Sequence, residues 1–161
     1  MLVKDLMRTN IESCRPDASL ESVALKMWNH DCGVIPVVDN ENRPIGMITD
    51  RDIAMGCSLN HRALWDMQAA DVLNHRPVYS CDSEDNLDTL LQMMKDHQVR
   101  RIPVTDTNGQ LSGIVAIGDA VNTAKKNGGR SNKSIGYDKV MDVLKSVSNP
   151  EHFDHELIKA G

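Results

Sequence analysis

The segment Ile35-Pro36-Val37-Val38-Asp39 returns 67 residues later as Ile102-Pro103-Val104-Thr105-Asp106, and this internal repeat constrains the fold more than any other feature of the chain. Aligned without a gap, residues 11–55 and 78–122 share eleven identities, among them Cys14, Leu20, Met27, His30, Gly46 and Asp52 with their partners. Unrelated segments of average composition would share about three. Upstream the register slips by one residue, so that Asp5-Leu6-Met7 corresponds to Asp71-Val72-Leu73. The units therefore run over 1–57 and 69–123, with a linker at 58–68. At this size neither unit buries both faces of a sheet alone, so the two are expected to pack on each other.

Within each unit the hydrophobic period changes in a fixed order. Leu20, Val23, Ala24, Met27 and Trp28 follow the stripe of a helix with one buried face, as do Leu87, Leu90, Leu91 and Met94. Hydroxyl and carboxylate groups at Asp17–Ser19 and Asp82–Asp85 suit the first turns. Val34–Val38 and Ile45–Ile48 flank a polar turn, and Val99–Thr105 and Leu111–Val115 flank Asn108-Gly109, which predicts one hairpin per unit. Short strands at Ile11–Cys14 and Val78–Cys81 precede the helices, and a last helix opens near Asp50 and near Gly118. The expected fold is α+β, two tandem β-α-β-β-α units.

Chemistry concentrates where the hairpin passes into its last helix. In Gly46-Met47-Ile48-Thr49-Asp50-Arg51-Asp52 the glycine admits a ligand or a neighbouring backbone. Thr49 brings a hydroxyl to free amides that suit a phosphate, and Asp52 can accept both hydroxyl protons of a ribose diol. The alternative is structural: Thr49 caps the helix and Asp52 favours its positive end. The second copy, Gly113–Asp119, keeps the glycine and Asp119 but has Ala116 in place of the hydroxyl. Unequal clefts follow, with Thr49 and Asp52 in the better one.

Tandem β-α-β-β-α units with an IPV[VT]D strand and a Gly-x-x-Thr-x-x-Asp turn resemble a pair of cystathionine-β-synthase (CBS) domains. The resemblance covers residues 1–123 and is strongest over 33–54 and 98–121. It implies a regulatory module whose repeats pack about a pseudo-twofold axis, bind adenosine nucleotides in the clefts between them and commonly dimerise. It also implies a phosphate contact from Arg101, with Arg100 beside it, where the first repeat has Gly33-Val34. Pairing of both arginines with surface carboxylates is the competing role. Ile35 and Pro36 are candidates for apolar contact with a purine, and equally for plain core.

The formal charge of −5 argues against nucleic-acid binding through bulk charge. The longest apolar run falls far short of a membrane span, and the charged opening MLVKDLMRTN does not resemble a secretory signal, so a cytoplasmic location is expected. Cys14, Cys32, Cys57 and Cys81 form no CxxC pair and read as reduced thiols. His30 and His97 close their helices. The His152–Glu156 stretch has a superficial metal-ligand spacing without further ligands, and no metal or cofactor is expected. Residues 124–136 form a basic, Gly- and Ser-containing linker, and the tail 137–161 carries a short amphipathic helix over Tyr137–Val147, able to dock on the pair, on a dimer partner or on a target. No base–nucleophile arrangement, P-loop or dinucleotide motif occurs. The functional expectation is a non-catalytic homodimeric sensor of AMP, ADP or ATP acting on a separate protein target. S-adenosylmethionine or NAD binding and a ligand-free interaction scaffold are the alternatives.

Overall fold

Alternation within each hairpin decides which way its strands face, and the two hairpins do so identically. The structure, a computed structural model, describes residues 1–73, 77–125 and 135–148. The first repeat supplies helix α1 (Leu20–Asn29), strands β1 (Val34–Val38) and β2 (Pro44–Thr49) and helix α2 (Asp50–Asn60). A short α3 (Ala69–Val72) leads into β3 (Cys81–Asp82), α4 (Leu87–Asp96), β4 (Arg101–Thr105), β5 (Leu111–Ala116) and α5 (Ile117–Thr123), and α6 (Tyr137–Ser148) follows. Both hairpins are antiparallel, pairing Val34 with Thr49 and Arg101 with Ala116, and each has a bulge at the same place, after Val37 and after Val104.

The α+β class and the repeated order agree with expectation, with two local departures. The strand expected at Ile11–Cys14 is a single parallel bridge from Cys14 to Val37, and its counterpart is only the two-residue β3. Pro16 ends the first extension. The second is ended by a turn in which the Asp82 amide donates to Asp85 and the Asp82 carboxylate accepts from the Glu84 amide. Those acids were expected to cap α4. That role falls instead to Asn86, whose side chain accepts from the Asp88 amide, as Ser19 does from Ser22 in α1. His30 and His97 close α1 and α4 as anticipated.

The two cores are knitted together by exchange. Leu20, Val23, Met27, Ile35, Val37 and Ile48 form the first, but Met67, Ala69 and Val72 complete it. Leu87, Leu90, Met94, Ile102, Val104 and Val115 form the second, and Val3 completes it from the far end of the chain. The hydrogen bonds of this exchange come in matched pairs: Val3 N–H to Asp85 C=O (3.0 Å) and Ala69 N–H to Ala18 C=O (2.8 Å), Leu87 N–H to Met1 C=O (3.1 Å) and Leu20 N–H to Met67 C=O (2.9 Å). Each lead-in segment thus packs on the other repeat, and the matching is that of a pseudo-twofold.

The symmetry ends at α6. Its Val140, Val143 and Val147 are buried in the second core, with Lys139 paired to Asp88 at 2.8 Å and Asp142 to Lys95 at 2.5 Å on α4. Of the three places open to this amphipathic helix, it takes the helical side of its own second repeat. The basic run 126–134 and the stretch 149–161, with the histidines near its start, lie outside the described residues.

Candidate functional site

Successive side chains of a strand point to opposite sides. Ile35, Val37 and Ile48 are fully buried in the first core, as are Ile102, Val104 and Val115 in the second. Val34, Pro36, Met47 and Thr49 therefore share the other face of the first hairpin, and Arg101, Pro103, Ile114 and Ala116 that of the second. This corrects one expectation. Ile35 and Pro36 cannot line one cleft together: Ile35 belongs to the core, and only Pro36, itself buried, lies on the motif face.

Thr49 ends β2 and caps α2. Its hydroxyl accepts from the Asp52 amide (3.1 Å) and donates to Asp52 Oδ2 (2.7 Å), which also accepts from the Thr49 amide (2.8 Å). The capping arrangement is therefore realised, with both side chains half-buried. For a phosphate to use this hydroxyl, its proton must turn away from Asp52.

The second motif is wired differently. Asp119 is buried, 8% exposed, and its Oδ2 accepts from the Ala116 amide at 2.9 Å. Its Oδ1 receives the Arg8 guanidinium, Nε at 2.8 Å and a terminal nitrogen at 2.7 Å. Arg8 escaped the sequence reading because it lies 111 residues from Asp119 in the chain. A signal was present nonetheless: it directly follows the Asp-Leu-Met triplet that the repeat aligns with Asp71-Val72-Leu73.

Arg101 opens β4 directly opposite Ala116, and the Arg100 carbonyl accepts from the Ile117 amide. Both side chains are exposed, and neither forms an ion pair among the described residues. By register these arginines belong to the Asp119 turn, because the counterpart of Arg101 is Val34, opposite Thr49. Asp39 and Asp106, identical in the repeat, work within their hairpins: each carboxylate accepts two backbone amides of its own turn. Those bonds hold the Asp39 carboxyl below the usual carboxylate range.

Cys14 and Cys81 are buried in separate cores and, like Cys32 and Cys57, are free thiols. Burial pushes the Cys14 thiol up to about 11 and that of Cys81 to about 12. Among the described residues no cluster of His, Cys, Asp or Glu could hold a metal ion, and no helix is long and apolar enough to cross a membrane. A groove of about 380 Å³ lies on the helical side of the first repeat, between Met27 and Trp28 of α1 and Asp50 and Ile53 of α2.

The CBS domain model matches residues 3–57 and 69–125, on both repeats. The chain belongs to the CBS-domain family. CBS domain-containing protein YhcV of Bacillus subtilis is 35% identical over 139 residues, spanning 83% of this chain and 89% of that protein. Among solved structures, the CBS domain protein PAE2072 of Pyrobaculum aerophilum, complexed with AMP, superposes with a TM-score of 0.65 at 22% identity, covering 74% of this chain and 90% of that one. The CBS domain pair of protein MJ0100, in complex with 5′-methylthioadenosine and S-adenosyl-L-methionine, superposes with a TM-score of 0.63 at 23% identity, covering 76% and 98%. These two share the fold with the present chain.

Proposed function

We propose that this CBS pair is a non-catalytic regulatory module that takes an adenosine nucleotide, AMP, ADP or ATP, between its repeats, and passes binding on as a cytoplasmic homodimer to a separate protein target. The observation that carries the reading is the placement of Asp52 and Asp119 at equivalent strand-to-helix turns, one beside a hydroxyl and the other on a hairpin whose Arg101 forms no ion pair among the described residues. A carboxylate suits a ribose diol and a guanidinium suits a phosphate. The AMP complex of PAE2072 shows that a chain of this fold can accept such a ligand.

S-adenosylmethionine is the second reading, favoured by a specific observation at the other turn. There Val34 replaces the arginine and Asp50 and Asp52 are acidic, which suits a cationic sulfonium better than a phosphate. A thermal-shift panel of adenosine, AMP, ADP, ATP, NAD and S-adenosylmethionine separates the readings, because a ligand bound to the folded state raises its melting temperature. Asp52→Ala should lower affinity for the ligand held at the Thr49 turn about tenfold or more by calorimetry. A silent Asp52→Ala removes the ribose role. If no adenine compound shifts the melt at millimolar concentration, the module is a scaffold.

A further inference from the structure

The lead-in segment brings Arg8 to the edge of β5, where Arg8 and Ile114 exchange two backbone hydrogen bonds, at 2.9 and 3.0 Å. Ile114 pairs on its other side with Pro103, so Arg8, Ile114 and Pro103 form one row across the sheet, and Arg101 and Ala116 share its face two residues further on. Strand spacing puts the Arg8 and Arg101 backbones about 12 Å apart, a gap that two arginine side chains can close around one anion. The Arg8 guanidinium already points along this line. It reaches the Asp119 carboxylate, whose second oxygen holds the amide of Ala116, the residue directly opposite Arg101.

Asp119 pairs with Arg8, whereas Arg100 and Arg101 form no ion pair among the described residues, and the Arg8 side chain remains 67% exposed despite its own pair. Asp119 takes two of the five N–H directions a guanidinium offers. None of these cations is duplicated by the repeat: Gly33 and Val34 stand where Arg100 and Arg101 would, and residue 74, in line with Arg8, is Asn. Two arginines foreign to the repeat, Arg8 and Arg101, thus share the face of one of its two turns, with Arg100 beside Arg101 in the chain. Gly113, where a Cβ would lie 2.9 Å from the Arg8 carbonyl oxygen, is what lets the segment come this close.

We propose that Arg8 is a phosphate ligand of the Asp119 cleft, exchanging the Asp119 carboxylate for a phosphate monoester that it binds together with Arg101. The inference rests on the nucleotide reading for the organic part of the ligand only. A guanidinium fork matches phosphate oxygens as it matches the carboxylate it leaves. The monoester belongs to a nucleotide or arrives as inorganic phosphate, and the titrations distinguish the two.

The test is calorimetry on the full chain with AMP, adenosine and inorganic phosphate, at two salt concentrations. Arg8→Gln should weaken AMP about tenfold or more, leave adenosine unchanged and flatten the salt dependence. Asp119→Asn releases Arg8 and should tighten inorganic phosphate. Because Arg8→Gln leaves a buried carboxylate without its partner, the double variant Arg8→Gln/Asp119→Asn, which buries no unpaired charge, gives the same AMP-to-adenosine comparison if the single variant does not fold. If AMP keeps its wild-type preference over adenosine and its salt dependence without Arg8, then Arg8 is only the counter-ion of Asp119 and the inference fails, while the nucleotide reading stands. Phosphate bound through Arg8 with AMP no tighter than phosphate has the opposite meaning: the anion site stands and the nucleotide reading fails. Binding of neither AMP nor phosphate overturns both.

Discussion

A methyl group added at Gly46 would lie 2.2 Å from Leu73 Cδ1, and one at Gly113 would lie 2.8 Å from Met7 Sδ and 2.9 Å from the Arg8 carbonyl oxygen. Both glycines belong to the repeated motif, and the neighbour that requires them is the lead-in segment of the opposite repeat. Leu73 can change rotamer, whereas the Arg8 carbonyl is held in a backbone bridge. Gly113→Ala should therefore cost about 1–3 kcal/mol by urea denaturation, and more than Gly46→Ala. Equal or negligible losses would remove the close approach as the reason for the glycines. The cysteines give a second test. With their pKa values raised to about 11 and 12, Cys14 and Cys81 stay protonated at pH 8, where an unfolded thiol is already partly ionised. Iodoacetamide at pH 8 should modify half-buried Cys32 and Cys57 in the folded protein, and Cys14 and Cys81 only after denaturation, as mass spectrometry of the digested chain would report. The sign for stability follows: because the folded pKa values lie above the unfolded ones, the stabilisation is intact below about pH 9 and is lost as pH rises towards 11–12. At this scale the sequence disclosed Thr49, Asp52, Asp119 and Arg101 because repetition, or its breakdown, marks them. Arg8 is marked only by its place after an aligned triplet, and its pairing with Asp119 becomes visible only once the chain has folded back across the molecule.

Helices and hairpins were legible because their periods differ, 3.6 residues against 2, and the same alternation in both copies leaves one register per hairpin. The short first strand of each unit was overestimated, since a few β-branched or thiol side chains look like a strand whether or not the backbone has partners beyond one bridge. In α4 the acids before Asn86 looked like caps but close a turn among themselves. Helix α6 was legible as amphipathic, yet its destination depends on which apolar face lies within reach, and that is a property of the packed molecule. Its attachment is apolar. Val143, 4% exposed, loses two methyl groups on Val143→Ala, so about 1.5–3 kcal/mol of stability should disappear. Lys139→Ala breaks only the exposed pair with Asp88 and should change stability by about 0.5 kcal/mol or less. Urea midpoints on the two variants check the contrast. A larger loss from Lys139→Ala would mean that the ion pairs, rather than the valines, hold α6 in place.

At the scale of the whole molecule the pseudo-twofold was readable from the repeat, but the crossing of residues 1–7 and 67–73 between the cores was not, because sequence self-similarity says which segments are alike and not which of them touch. The approximate symmetry makes the bare helical face of the first repeat conspicuous. On the second repeat α6 covers α4 and α5, whereas on the first Leu25 and Trp28 of α1 and Met55 and Leu59 of α2 are 54%, 84%, 46% and 57% exposed. Four large apolar side chains on two adjacent helices are more than the scattered surface residues of an ordinary monomer. For the homodimer proposed above, this exposed face is the contact we predict, with the two copies meeting through their first repeats because α6 occupies the other helical face. Sedimentation at micromolar concentration should then give about twice the 17.9 kDa chain mass. Trp28→Glu places a charge in the centre of the contact and should return the protein to a monomer with its melting behaviour little changed, since Trp28 is almost fully exposed within one chain. The chain has two tryptophans, Trp28 and Trp65, and both are largely exposed, so emission should shift to the red on dilution through the dissociation range as Trp28 becomes hydrated. A mass of one chain at every concentration, with emission that does not move on dilution, sinks the homodimer; a dimer that survives Trp28→Glu keeps the homodimer and moves the contact away from α1.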